Sequence, residues 1–250
     1  MTAVSSNPVD GPVRQALHAQ VLEHLGRQIV AGQLTPGDSL TADDVATQFG
    51  VSRTVVREAF RVLEAKGLVT ARPGVGTRVM ASGDWDLIDP EVILWRFHSP
   101  NGRLAQMREL LELRDGLEPL AARLAARHTS PAVGLILTTT SSQMVDAAHR
   151  GDFDAFTSLD IQFHGALLRA SGNGMLERLK TVVAVALRAR GELFAFSHEI
   201  SDQVLDLHKA LAAAITRGDE DASESAMKRL LAEADRDIAE TLRLNPQAAS

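Results

Sequence analysis

Apolar residues along this chain recur mostly at intervals of three and four, the spacing that puts them on one side of a helix. Leu17, Val21, Leu25, Ile29 and Val30 form the first such row. They predict a helix from Val13 to Gly32, after which Pro36-Gly37 turns the chain back. Residues 41–49 predict a short helix with Val45, Ala46 and Phe49 inward. Beyond the turn Gly50-Val51-Ser52, a third helix gathers Val55, Val56, Ala59 and Leu63 on one side, with Phe60 at the border. Gly67 is a natural stop. Leu68-Val69-Thr70 and Thr77-Arg78-Val79 then predict two short strands around the turn Pro73-Gly74-Val75-Gly76.

From Leu104 onward strand alternation is absent from the pattern. Long 3.6-period segments are interrupted at 128–131, 150–152, 171–174, 197–202 and 217–219 by Gly, Ser, Asp or Pro. The fold class is therefore mainly α: three helices and a small β-wing, joined to an all-α antiparallel bundle of six or so helices. The expected divisions are a loose tail at 1–12, a first domain at 13–80, a joint at 81–103, a bundle at 104–245 and a second tail at 246–250. The joint carries Trp85, Leu87, Ile88, Val92, Ile93 and Trp95, too apolar for a free linker, and predicts a short helix packed on the next domain.

The polar side of the third helix carries Arg53, Arg57 and Arg61, four residues apart, with Thr54 beside them and Ser52 placed to cap the first turn. Three arginines alone would describe an ordinary solvated face. The preceding helix and turn supply helix-turn-helix spacing, however, and an arginine-faced helix followed by a basic hairpin suits a DNA major groove and its flanking phosphates. Arg72, Gly74, Gly76 and Thr77 of the hairpin join Ser52, Arg53, Thr54, Arg57 and Arg61 as candidate DNA contacts.

Leu34-Thr35-Pro36-Gly37-Asp38-Ser39-Leu40, Val51-Ser52-Arg53-Thr54-Val55-Val56-Arg57-Glu58-Ala59, Gly67-Leu68-Val69 and Gly76-Thr77 together resemble the winged helix-turn-helix of the GntR family of transcription regulators. One residue departs from that pattern. The family usually carries a basic residue after Leu40, where it would meet a phosphate, and this chain has Asp43, leaving Arg72 and Arg78 as substitutes. The joint, Trp-x-x-Ile-Asp-Pro-Glu-Val-Ile-Leu-Trp, is similar to that of sugar-acid-responsive repressors of the family. Glu112-x-Arg114-x-x-x-Glu118, Asp160-x-x-Phe163-His164, Ala170-Ser171-Gly172-Asn173 and the segment from His208 to Asp219 resemble the FCD ligand-binding domain of its FadR-like branch.

Composition sharpens this division. The net charge of −6 looks unsuited to a DNA binder. Residues 13–80, however, hold eight Lys/Arg against six Asp/Glu, a balance of +2, and residues 81–250 hold 18 against 25, a balance of −7, Asp10 completing the total. The acidity belongs to the second domain. The absence of cysteine excludes disulfides and thiolate metal sites. With no signal peptide and no run of 18 apolar residues, the expected location is the cytoplasm.

On the helix of residues 153–171, Asp160 and His164 share an apolar face with Phe156, Phe163 and Leu167, and on a later helix His208 faces inward with Val204, Leu211 and Ile215. Any one of these histidines could be a hydrogen-bonded core residue. A carboxylate with two inward imidazoles is satisfied at once by a divalent metal, and two nitrogens favour zinc or nickel over magnesium. The family resemblance implies the same ligands plus a third histidine, at whose position this chain has Leu230; His149 and His198, in or beside turns, are poor substitutes. Arg114 points inward and either pairs with Glu118 or grips a ligand carboxylate. Asn173 reads as a helix cap.

The expected function is a homodimeric repressor, released from a short inverted-repeat operator in double-stranded DNA by a small organic acid such as an aldonate. The alternatives are a metal-dependent enzyme with an accessory DNA-binding domain and an acyl-CoA-responsive regulator without metal. No nucleophile elbow, His-Glu-x-x-His or phosphate-binding loop supports an enzyme.

Overall fold

A computed structural model describes residues 10–72, 76–100, 102–194 and 200–244. Residues 1–9 of the tail expected at 1–12, residue 245 with the tail expected at 246–250, the hairpin residues 73–75 and the segment holding His198 lie outside the described residues, while residues 10–12 belong to the first helix instead of the tail. The chain divides into two compact units at Gly102.

The first unit contains helices α1 (Asp10–Val30), α2 (Ala42–Phe49) and α3 (Arg53–Ala65). It also holds strands β1 (Ser39–Leu40), β2 (Val69–Arg72) and β3 (Gly76–Val79), and helix α4 (Pro90–Phe97). The starts of α2 and α3 have a chemical cause. Thr41 accepts from Asp44 N and Ser52 from Val55 N, satisfying amides that the first helical turn leaves open. Gly50 closes α2 at φ 64°, where a side chain would be strained, and this tight exit fixes the angle between α2 and α3. Val21, Leu25 and Ile29 of α1 pack with Val45, Val56, Ala59, Leu63 and Leu68 in one core.

The wing has three strands rather than the two expected. β1 lies beside β3, and β3 beside β2, all antiparallel, with Leu40 opposite Thr77 and Ala71 opposite Thr77 on the other side. A two-residue strand gives no periodicity to read, which is why β1 was invisible in the sequence.

The joint also differs from expectation. Val92 and Trp95 of α4 belong to the core of the first unit, against α1. The Trp95 indole lies so close to Gly26 that a Cβ there would stand 2.6 Å from the ring, and its Nε1 donates to Glu23 at 2.7 Å. Lys66, just beyond α3, is buried and places its Nζ 2.7 Å from both Asp89 and Glu91 at the start of α4. The two pairings outweigh the cost of burial and raise the Lys66 pKa.

The second unit is all helix among the described residues: α5 (Arg103–Arg127), α6 (Pro131–His149), α7 (Phe153–Ala170), α8 (Gly174–Arg178), α9 (Lys180–Phe194), α10 (Asp202–Thr216) and α11 (Glu220–Leu244). Ser130, Asp152, Asn173 and Ser201 each accept from a first-turn amide, so the breaks read from composition are helix starts with side-chain caps. The core runs from Ala122 and Ala125 of α5 through Leu137, Phe163 and Leu167 to Leu211 and Met227.

Candidate nucleic-acid interface and metal centre

Helix α3 presents its two faces as its spacing predicts. Val55, Val56, Ala59, Phe60 and Leu63 are buried, while Ser52, Arg53, Thr54, Arg57 and Arg61 are exposed. Arg53 forms an ion pair with Asp43 of α2. The acidic residue that departs from the pattern therefore has a cationic partner on α3. Arg61 pairs with Glu58 at 2.7 Å. Arg57 lines an open groove of about 450 Å³ between α3 and the wing, with Thr41, Phe60 and Gly76.

The wing requires one correction. Thr77 is buried, because β3 alternates outward and inward and turns Thr77 and Val79 toward the core. Its side chain is not on the exposed face. Arg72, Gly76 and Arg78 are exposed, and Arg78 donates to the Gly37 carbonyl at 2.8 Å. Gly74 lies outside the described residues.

In the helical unit, Asp160, His164 and His208 converge. One donor atom from each lies within 4.8 Å of the other two, and all three residues are buried. His208 Nδ1 donates to the Val204 carbonyl at 2.8 Å, which leaves Nε2 facing Asp160 Oδ1 at 3.1 Å. His164 Nε2 stands 3.3 Å from the same oxygen. Tetrahedral bonds of about 2.0–2.2 Å place donor atoms about 3.3–3.6 Å apart, close to the two separations measured from Asp160 Oδ1, so these donors could hold a zinc-sized ion. A carbonyl fixing the outer nitrogen of a ligating imidazole is the usual support for such a ligand. Leu230 is buried in the apolar core and offers no donor.

Around the trio lies a shell of paired charges. Arg114 Nε donates to Glu118 Oε1 at 2.6 Å, so of the two readings of Arg114 the ion pair is present. Glu118 Oε2 lies 2.5 Å from His164 Nδ1, off the direction of a good hydrogen bond. Burial alone would raise the Glu118 pKa, but Arg114 and His164 together hold it down at about 2. The two neighbouring carboxylates outweigh burial at His164 and raise its pKa.

Arg190 of α9 was missed in the sequence. Its Nη2 lies 2.5 Å from Asp160 Oδ2; burial alone would raise the Asp160 pKa, but Arg190 together with His164 and His208 holds that carboxyl well below its ordinary value. Arg188 and Arg190 stand two apart in an apolar helix, and only packing decides which one turns inward.

Two family models match this chain: "Bacterial regulatory proteins, gntR family" over residues 17–79, and "FCD domain" over residues 109–233. The chain belongs to the GntR family. This GntR regulator is 32% identical over 219 residues to the galactonate operon transcriptional repressor of Escherichia coli, covering 86% of this chain and 94% of that protein. It is 29% identical to the probable D-xylose utilization operon transcriptional repressor of Paenarthrobacter nicotinovorans, covering 86% of this chain and 85% of the relative. Its fold is shared with Lar of Listeria monocytogenes at a TM-score of 0.60 and 18% identity, covering 89% of this chain and 96% of that one. These relatives are transcription regulators and not enzymes, and the same class holds for this GntR protein. Among its described residues no helix is long and apolar enough to cross a membrane.

Proposed function

We propose that this GntR regulator is a cytoplasmic repressor of a sugar-acid or hydroxy-acid catabolic operon, released from DNA by the acid itself. It binds as a homodimer to a short inverted repeat. Arg53, Thr54 and Arg57 face the bases, while Arg61, Arg72 and the exposed edge of the wing hold phosphates. Asp43 orients the Arg53 guanidinium through their ion pair.

The observation that carries the effector reading is the charge balance of the buried cluster. Arg114, Arg190, Glu118 and Asp160 sum to zero when both imidazoles are neutral. Asp160, His164 and His208 are the residues that would hold a divalent ion, zinc or nickel by their donor set. Such an ion supplies a Lewis-acidic anchor for the carboxylate and hydroxyl oxygens of a hydroxy acid. With that charge added, the apolar interior would favour an anionic ligand, whose carboxylate offsets part of it. Arg190, already at the donor set, receives the second polar end of that acid, and Arg114 keeps Glu118 and hence His164 in place. This assigns Arg114 a supporting role and Arg190 the grip. The galactonate relative supports a sugar acid as the ligand class.

Release from DNA requires that the acid bind the DNA-free arrangement more tightly than the DNA-bound one; equal affinity would shift nothing. The test is a thermal-shift series of aldonates, short hydroxy acids and acyl-CoA with zinc or with chelator, followed by operator titration with each stabilising compound. An aldonate that stabilises only with metal and weakens operator binding is the expected result. Stabilisation by acyl-CoA and by no hydroxy acid would overturn the reading.

A further inference from the structure

Residues 128–145 contain no Asp, Glu, Lys or Arg. Most of that stretch is α6, which packs one face on α7 and α10 and leaves the other open. Along the open face run Leu135, Ile136, Thr139, Ser142 and Gln143, a single helical stripe about 12 Å long at 1.5 Å per residue. Leu135 is 68% exposed and Ile136 50%, on a helix whose exposed positions before Asp146 carry no charge at all. A solvent-facing helix ordinarily carries charged residues there. Beside the stripe a groove of about 380 Å³ continues over α7 and α9, floored by Ile161, Gly165, Ala166 and Ala184. Small residues there let another helix approach closely.

The two ends of this surface differ in charge. Near the α6–α7 turn stand Asp146, Asp152 and Asp154 against Arg150, all exposed. At the opposite end the groove reaches Arg169 and Lys180, which share the single carboxylate of Glu177 at 3.7 and 3.4 Å. A second copy laid antiparallel across α6 brings the acidic end of each copy onto the basic end of the other, while the uncharged stripes meet in the middle. A two-fold interface requires this self-complementarity.

We infer that the α6–α7 face is where two copies of this chain associate. The inference rests on the homodimer reading above, in which two reading heads serve two half-sites. It adds the surface that joins them and the direction in which the helices cross.

Sedimentation equilibrium of the full chain tests it. Wild type is expected to be a dimer. Leu135→Glu/Ile136→Glu is expected to raise the dimer dissociation constant at least about 100-fold, with circular dichroism and melting of the monomer unchanged because both side chains are exposed. Asp146→Lys alone is expected to weaken the dimer, and Asp146→Lys with Arg169→Glu to restore it by exchanging the two charges across the interface. A double glutamate variant as dimeric as wild type overturns this interface and leaves the homodimer reading standing. A monomeric wild type overturns the homodimer reading and this inference with it.

Discussion

Arg190 on α9 reaches Asp160 on α7, with 2.5 Å between Nη2 and Oδ2, and both residues are buried. The guanidinium thus compensates the carboxylate that would also ligate a metal. Replacing it with an apolar side chain leaves a buried charge without its strongest partner, which costs about 3–5 kcal/mol. Arg190→Met should therefore melt well below wild type in the presence of chelator. Added zinc should recover part of the loss, since a bound cation takes over the compensation of Asp160, while the aldonate-dependent shift should be absent.

Arg57 is exposed on α3 and its loss removes nothing from the core. Arg57→Ala should weaken operator binding by about 1–3 kcal/mol, roughly 5- to 150-fold, without changing the melting temperature. Arg72→Ala should weaken specific and non-specific DNA alike and lower the salt slope by about one unit. Filter binding or fluorescence anisotropy at several salt concentrations separates the two behaviours.

The Glu118 carboxyl is held at about 2, below its ordinary 4.5. Its stabilising contribution is complete above pH 4.5 and is lost as pH falls through that value toward 2. A shift of this size corresponds to something on the order of 3 kcal/mol. His164 works in the opposite direction. Its raised pKa gives stability that is present below the ordinary 6.5 and lost as pH rises through the folded value. Urea midpoints of the chelated protein should therefore decline on both sides of the range between these values, and Glu118→Gln should flatten the acid limb.

Lys66 holds Asp89 and Glu91 from a nearly buried position, with the Trp95 ring 6.0 Å away. Lys66→Met keeps the packing of the stem and removes the charge. Because the Glu91 side chain is about half exposed and Asp89 still caps α4, the cost should be about 1–2 kcal/mol, read as a lower midpoint in chemical denaturation.

The sequence carried the helix-turn-helix and the Asp160–His164 pair because helical periodicity states directly which residues share a face. It carried the cluster only in part. His208 could be assigned to the interior, but the chain gave no measure of its distance from Asp160. Arg190 was illegible for a related reason: in a helix as apolar as α9, neither arginine breaks the pattern, and packing alone turns Arg190 in and leaves Arg188 outside. Thr77 was placed on the wrong side because a strand of four residues offers too few alternations to set its phase. The partner of α4 was misread because its apolar face is equally suited to either domain. Gly26, the residue that admits the Trp95 ring, lies about seventy positions away in the chain.

Because α4 is anchored to α1 and to Lys66 at the end of α3, exchanging DNA specificity between such regulators has a natural cutting point. A graft severed after the wing at Met80 would strip Lys66, Glu23 and Gly26 of their counterparts and expose the seat of Trp95. A graft severed at Gly102 carries all of them along and transfers an intact module.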